Sequence, residues 1–224
     1  MDGPGTGNNM AGCALLLNAG GINFRVGKIL KIGLISDIHS NLRGLERALA
    51  LLDDCEEVLC AGDLLCLYRF SSEVLSLLRD HQVRAIVGNH DKTILYAPEH
   101  PLRSSPSVNS ADLQYLSNLP EALSLSLGGA RIAMFHGSPW DEEQTTAAYY
   151  VYPNVSKDIL RVREYESDII VLGHTHQSFC KWGRGETIVV NPGSCGESRD
   201  PSGLLTCAML DTDSGHVEFR HFSV

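Results

Sequence analysis

Five short polar motifs in this chain each end an apolar run: Asp37-Ile38-His39, Gly62-Asp63, Gly88-Asn89-His90-Asp91, His136-Gly137 and Gly173-His174-Thr175-His176. Short apolar runs read as buried strands. Buried strands whose polar residues gather at one end suit a parallel sheet, because its carboxyl edge collects loops from distant parts of the chain into one site. The pooled side chains are carboxylates, imidazoles and an amide, which are the ligands of a divalent metal rather than the contents of a packed core. Five of the nine histidines lie in these motifs.

The rest of the chain agrees with that rhythm. Residues 29–36 read as a strand, 42–52 as a helix, 57–61 as a strand, 72–80 as a helix and 83–87 as a strand. Residues 97–106, rich in Pro and Ser, read as a loop, and 111–118 as a helix stopped by Pro120. Residues 122–127 and 131–135 flank Gly128-Gly129 as a hairpin, followed by a helix over 156–165 and a strand over 169–172. Three further strands, 187–190, 204–211 and 216–222, are separated by turns at Asn191-Pro192-Gly193 and Asp213-Ser214-Gly215.

At 224 residues and 43% hydrophobic content the chain supports one well-buried core, so a single domain over 28–224 is expected. Residues 1–27, with scattered Gly and Asn and only a short apolar patch at 14–17, read as a disordered extension without the makings of a signal peptide. No stretch is apolar enough to span a membrane, and a cytoplasmic location is expected. Eighteen basic against 27 acidic residues leave a net charge of -9, which disfavours stable nucleic-acid binding. Phosphate affinity in such a chain needs a local positive centre. The seven cysteines are odd in number and form no Cys-x-x-Cys pair, as expected of reduced thiols; Cys195, beside the Asn191-Pro192-Gly193-Ser194 turn, is the one near the motifs.

In order and spacing, residues 31–194 resemble the calcineurin-like metallophosphoesterase superfamily, whose pattern runs Asp-x-His, Gly-Asp, Gly-Asn-His-Asp/Glu, His, Gly-His-x-His. The tail Asn191-Pro192-Gly193-Ser194 with Arg199-Asp200 further resembles its small prokaryotic phosphodiesterase branch. The resemblance implies a layered α/β/β/α sandwich of two mixed β-sheets flanked by helices. It also implies two divalent metal ions, the first held by Asp37, His39, Asp63 and His176, the second by Asp63, Asn89, His136 and His174. A shared carboxylate suits cations roughly 3.5 to 4 Å apart, and Asp63 is the natural bridge.

Two carboxylates against two divalent cations leave a positive centre in an acidic protein, one that attracts phosphate and acidifies bound water. The implied reaction is hydrolysis of small soluble phosphate esters, phosphodiesters first, by a metal-bound hydroxide. Nitrogen and oxygen ligands without thiolate favour manganese, with iron, zinc or nickel as alternatives, over magnesium or calcium. In the family the histidine at position 90 protonates the leaving oxygen or binds the transferring phosphate, a role that suits imidazole. Asp91 is a candidate to orient His90. Asn41, Arg43 and Arg199 are candidate substrate contacts, with helix capping and solvation the plain alternative for Asn41 and Arg43. The aromatic residues Trp140, Tyr149, Tyr150 and Tyr152 read equally well as walls of the site and as core or dimer contacts, and a homo-oligomer is compatible with them.

Departures from the family narrow the field. Gly62-Asp63 continues as Leu64-Leu65-Cys66, not as the Asp-Arg-Gly of Ser/Thr protein phosphatases and symmetrical dinucleoside tetraphosphate hydrolases. A nucleotide phosphatase or dinucleoside polyphosphate hydrolase remains the second reading. A non-catalytic scaffold, like the metallophosphoesterase-like subunit of the retromer coat, is the third, and the intact His90 counts against it.

Overall fold

The computed structural model describes residues 30–105, 108–181 and 187–224; the extension expected over 1–27 lies outside them. In chain order the elements are β1 (Lys31–Ile35), α1 (Leu42–Leu51), β2 (Glu57–Cys60), α2 (Ser72–Asp80), β3 (Arg84–Ala85), α3 (Asn89–Tyr96), a 3₁₀ turn (Pro101–Ser104) and α4 (Ser110–Asn118). The hairpin β4 (Ala122–Leu127) and β5 (Ala130–Phe135) leads to α5 (Ser156–Arg163), β6 (Ile169–Val171), β7 (Ser178–Lys181), β8 (Ile188–Pro192), β9 (Leu205–Asp211) and β10 (Val217–Phe222).

Two five-stranded mixed sheets result, with orders β10-β9-β1-β2-β3 and β4-β5-β6-β8-β7. Strands β1, β2 and β3 run parallel in the first sheet, and β5, β6 and β8 in the second. Side chains alternate with the strand period of two, and that alternation creates the layers. Ile32 and Leu34 of β1 meet Ile132, Met134, Ile169, Val171, Ile188 and Val190 in a core between the sheets. Ile35 points the other way, toward Leu45 and Leu49 of α1 and Val74 and Leu78 of α2. Ile170 and Val189, on the outer face of the second sheet, pack on Ile159 and Val162 of α5. This is the α/β/β/α sandwich expected. No helix among the described residues is long and apolar enough to cross a membrane.

Two expectations about elements need correction. Strand β3 is only two residues long, because Val87 donates its N–H to Pro120 O (3.0 Å) as the chain leaves the sheet for α3. The turn expected at Asn191-Pro192-Gly193 begins later. Asn191 and Pro192 still belong to β8 and pair with the unforeseen β7, and the chain turns at Gly193, whose φ is +80°. Pro192 is tolerated there because β6 pairs only as far as Val190, so no donor is missed on that side. The motif Gly88-Asn89-His90-Asp91 opens α3. Gly88 is its N-cap, and Asp91, at the third helical position, accepts the Gly88 N–H at 2.9 Å.

Candidate metal centre

The parallel strands β1 and β2 end side by side, and hydrogen bonds continue their pairing into the loops: Asp37 N–H to Gly62 O (2.9 Å) and His39 N–H to Asp63 O (3.0 Å). In the second sheet Gly173 N–H bonds to His136 O (2.9 Å), which aligns the ends of β5 and β6. Both carboxyl edges therefore face the same place. Glycine makes the approach possible: a Cβ on Gly88 would lie 2.1 Å from Asp63 Oδ1, and one on Gly173 would lie 2.2 Å from Ser36 Oγ.

All seven candidate ligands converge there. Asp37, His39 and His176 form one group, Asp63, His136 and His174 a second, and His39, Asp63 and His90 a third, each able to bring its ligand atoms within 4.8 Å of one another. Asn89 joins the second group, its Oδ1 lying 3.1 Å from His136 Nε2. Arrangement of the backbone has a cost. Of eight non-glycine residues at positive φ among the described residues, five are candidate ligands: Asp37, His39, Asp63, His174 and His176. Each such conformation costs about 1–3 kcal/mol and persists only where the surroundings enforce it.

The side chains fit a cation. His136 directs Nδ1 at Ala61 O (2.7 Å), and His176 directs Nδ1 at Glu197 O (2.5 Å). With a proton on each Nδ1, the Nε2 lone pairs face Asp63 Oδ2 at 3.4 Å and Asp37 Oδ1 at 3.3 Å. His39 Nε2 and His176 Nε2 stand 3.0 Å apart. Electron-rich atoms thus face one another in a buried place, while Asp37 Oδ1, His39 Nδ1 and His174 Nε2 have no hydrogen-bond partner. Only a proton or a metal relieves this, and the carbonyl partners on Nδ1 are the outer shell that orients metal-binding histidines.

Protons show the same competition. Burial disfavours a charged His136, but the Asp63 and Asp37 carboxylates outweigh it and raise the group to about 10. Burial and the neighbouring His136 lower His174 to about 4. A cation between the same carboxylates would displace the proton from His136, as metal binding by imidazole generally does.

The remaining candidates divide. His90 is half-buried, its ring centroid 4.7 Å from that of His39, its N–H donated to Asp63 Oδ1 at 2.9 Å and its Nδ1 without a partner. Asp91 does not orient it. Its carboxylate accepts the N–H groups of Gly88, Leu64 and Leu65 at 2.9–3.0 Å, and so locks the Asp63 loop to α3. Burial and the charge of Asp63 push Asp91 up to about 7, against the pull of those amides. Asp91→Ala would strand three buried donors, and a loss of roughly 3–5 kcal/mol in urea unfolding is expected. A loss under about 1 kcal/mol would mean that the lock carries no stability.

Asn41 serves the fold rather than a ligand: its Oδ1 accepts the Gly44 N–H (3.0 Å) and caps α1, and its Nδ2 donates to Gly196 O (2.8 Å). Arg43 is exposed on α1, and Arg199 is exposed with its charge acting on His176. Tyr150 walls the site, its ring stacked 3.9 Å from that of His174, whereas Tyr149 packs on Trp140. Cys195 is a buried thiol of the core. Sequence reasoning missed the supports beneath the ligands. Asn191 donates to Gly173 O (2.6 Å), and Ser194 donates to Asp37 O (2.7 Å), so one turn braces both loops that carry candidate ligands. An Asn followed two residues later by Gly is the available signal, since its side chain closes on the Gly193 N–H (2.9 Å). A wider cavity of about 760 Å³ lies at the opposite edge of the first sheet, between α1 and α2, and holds none of the candidate ligands.

Residues 30–215 match the sequence pattern of the calcineurin-like phosphoesterase superfamily domain. An uncharacterized protein of Methanocaldococcus jannaschii is 26% identical over 216 residues, which cover 84% of this chain and 85% of that protein. The fold is similar to that of a metallophosphoesterase from Sphaerobacter thermophilus, with a TM-score of 0.68 at 21% identity over 88% of this chain and 89% of the other. It is also similar to an archaeal phosphodiesterase, with a TM-score of 0.55 at 20% identity over 86% of this chain and 100% of the other.

Proposed function

The chain belongs to the calcineurin-like phosphoesterase superfamily, and from that premise we propose that it is a metal-dependent hydrolase of small soluble phosphate esters, phosphodiesters first. The observation that carries this reading is the pair of ligand groups, Asp37-His39-His176 and Asp63-His136-His174, buried side by side with unpartnered acceptors facing inward. Asp37, His39, Asp63 and His176 would hold one divalent cation, and Asp63, Asn89, His136 and His174 a second, with Asp63 common to both. Bound there, the cations would supply Lewis acidity and an activated water. The donor set of nitrogen and oxygen puts manganese first, then iron, zinc or nickel.

The chain's own residues do the rest. Ser36 and the His174 N–H, each bonded to Asp37 Oδ2 at 2.7 and 3.0 Å, fix the outer oxygen of that carboxylate and leave Oδ1 turned to the site. Asp63 is fixed in the same way, through Oδ1, by the His90 N–H at the start of α3. That N-terminal end also carries partial positive charge, which favours an anion. His90 lies beside Asp63 and His39 and would give its proton to the departing oxygen, a step worth roughly 10²- to 10⁴-fold in rate. Arg199 and Arg43, exposed cations, would meet the outlying oxygens of the ester.

The test is a panel of phosphomonoesters, phosphodiesters and dinucleoside polyphosphates offered to manganese-loaded protein. Highest kcat/KM on diesters is expected. Turnover of dinucleoside polyphosphates alone would move the assignment to the nucleotide reading. A protein that binds two metals and hydrolyses nothing on the panel would be a scaffold.

A further inference from the structure

A small cavity of about 100 Å³ adjoins the centre on the Asn89 and His136 side. We propose that it holds one ester arm of the substrate and that this arm is a short, uncharged polyol. The inference rests on the phosphoesterase reading above and specifies its substrate. Because Asn89 and His136 line the cavity, a phosphorus atom held at the centre has an arm's length to it.

Its chemistry is set by Lys92 and three carboxylates. Lys92 stands one helical turn beyond Asn89 on α3, so both side chains share a face. The Lys92 side chain is only 8% exposed, and its ammonium pairs with Glu121 Oε2 at 2.7 Å. An ammonium has three donors, and this contact uses one. Glu121 also accepts the Gln144 N–H (3.0 Å) and the Tyr96 hydroxyl (2.5 Å), which fix it beside Lys92. Asp141, held by Ser138 and the Tyr149 N–H (3.0 Å), and the exposed Glu143 are the other carboxylates of the lining. One cation against Glu121, Asp141 and Glu143 leaves the cavity acidic. A second phosphate would be repelled. Hydroxyls fit, because they accept from Lys92 and donate to Asp141 and Glu143.

Size points the same way. At about 30 Å³ per water in the liquid, 100 Å³ has room for roughly three water-sized groups, or one chain of three carbons with its hydroxyls. Drug-sized ligands need pockets of about 300–1,000 Å³. A glyceryl arm fits, and a nucleoside does not.

The experiment uses manganese-loaded protein and four nitrophenyl phosphates: one with a glyceryl arm, one with an ethyl arm, one with a thymidine arm and one with no arm. The wild type should favour the glyceryl over the thymidine ester by about tenfold or more in kcat/KM. Ala148→Phe, which fills the cavity, should cut the glyceryl ester by roughly 10- to 100-fold and leave the armless monoester within about twofold, the range for steric change in a binding pocket. Lys92→Met should erase the preference for glyceryl over ethyl. Equal kcat/KM for all arms in the wild type, or an equal fall on the armless ester in Ala148→Phe with metal content and melting unchanged, would overturn the assignment. If the wild type hydrolyses no ester, calorimetry with glycerol phosphate and inorganic phosphate reads the cavity directly. Tighter binding of glycerol phosphate, lost in Ala148→Phe, would uphold the cavity and discard the hydrolase; equal binding would discard both.

Discussion

Asp63→Ala is expected to lose both metals together and to lower turnover by roughly 10⁴-fold or more, the scale for removing a whole catalytic unit. Asp63 is the carboxylate common to two of the three ligand groups, with Oδ2 3.4 Å from His136 Nε2 and 3.8 Å from His39 Nε2. Without it each proposed cation loses a ligand and half of the anionic charge that offsets repulsion between them. Asn89→Ala removes a neutral ligand from one side only, and should weaken the second cation while sparing the first. Metal per chain, measured by plasma emission on purified protein, separates the cases. Two metals retained in Asp63→Ala would refute the bridge. Chelation of the wild type should reproduce the Asp63→Ala loss and manganese should reverse it, whereas full turnover by metal-free protein would sink the mechanism.

His90→Ala should keep its metals and its fold but lose roughly 10²- to 10⁴-fold in turnover of esters with basic leaving groups. The side chain is half-buried and its Nδ1 has no partner, so the variant tests chemistry rather than folding. Nitrophenolate departs without a proton, so the loss on nitrophenyl esters should be clearly smaller. Equal losses on activated and alkyl esters would instead assign His90 to phosphate binding. No loss on either would place the acid elsewhere.

The candidate ligands were legible as a set because metal chemistry restricts residue type. Asp37, His39, Asp63, Asn89, His136, His174 and His176 each follow an apolar run, and a parallel sheet brings the ends of such runs to one edge. The hairpin about Gly128-Gly129 and the helix over Ser72–Asp80 were equally plain, one from its turn residues and the other from its apolar spacing. Local signals suffice for elements whose causes are local.

What the sequence determined by itself is therefore the alternation of strands and helices and the pool of candidate ligands at one edge, while the sandwich followed from the family resemblance. Tertiary structure decided which partner each polar group takes. Asp91 sits next to His90 in sequence, but its carboxylate is taken up by the amides of Leu64 and Leu65, 27 and 26 residues away. Asn41 sits beside the first motif and faces a carbonyl, that of Gly196, 155 residues off. Lys92 and Glu121, which make the cavity polar, belong to no motif at all. The physical reason is one of range. Hydrophobic period and turn chemistry are written in neighbouring residues, whereas a hydrogen bond or ion pair in the interior is settled only when distant segments have packed and left each buried donor and acceptor to find its match.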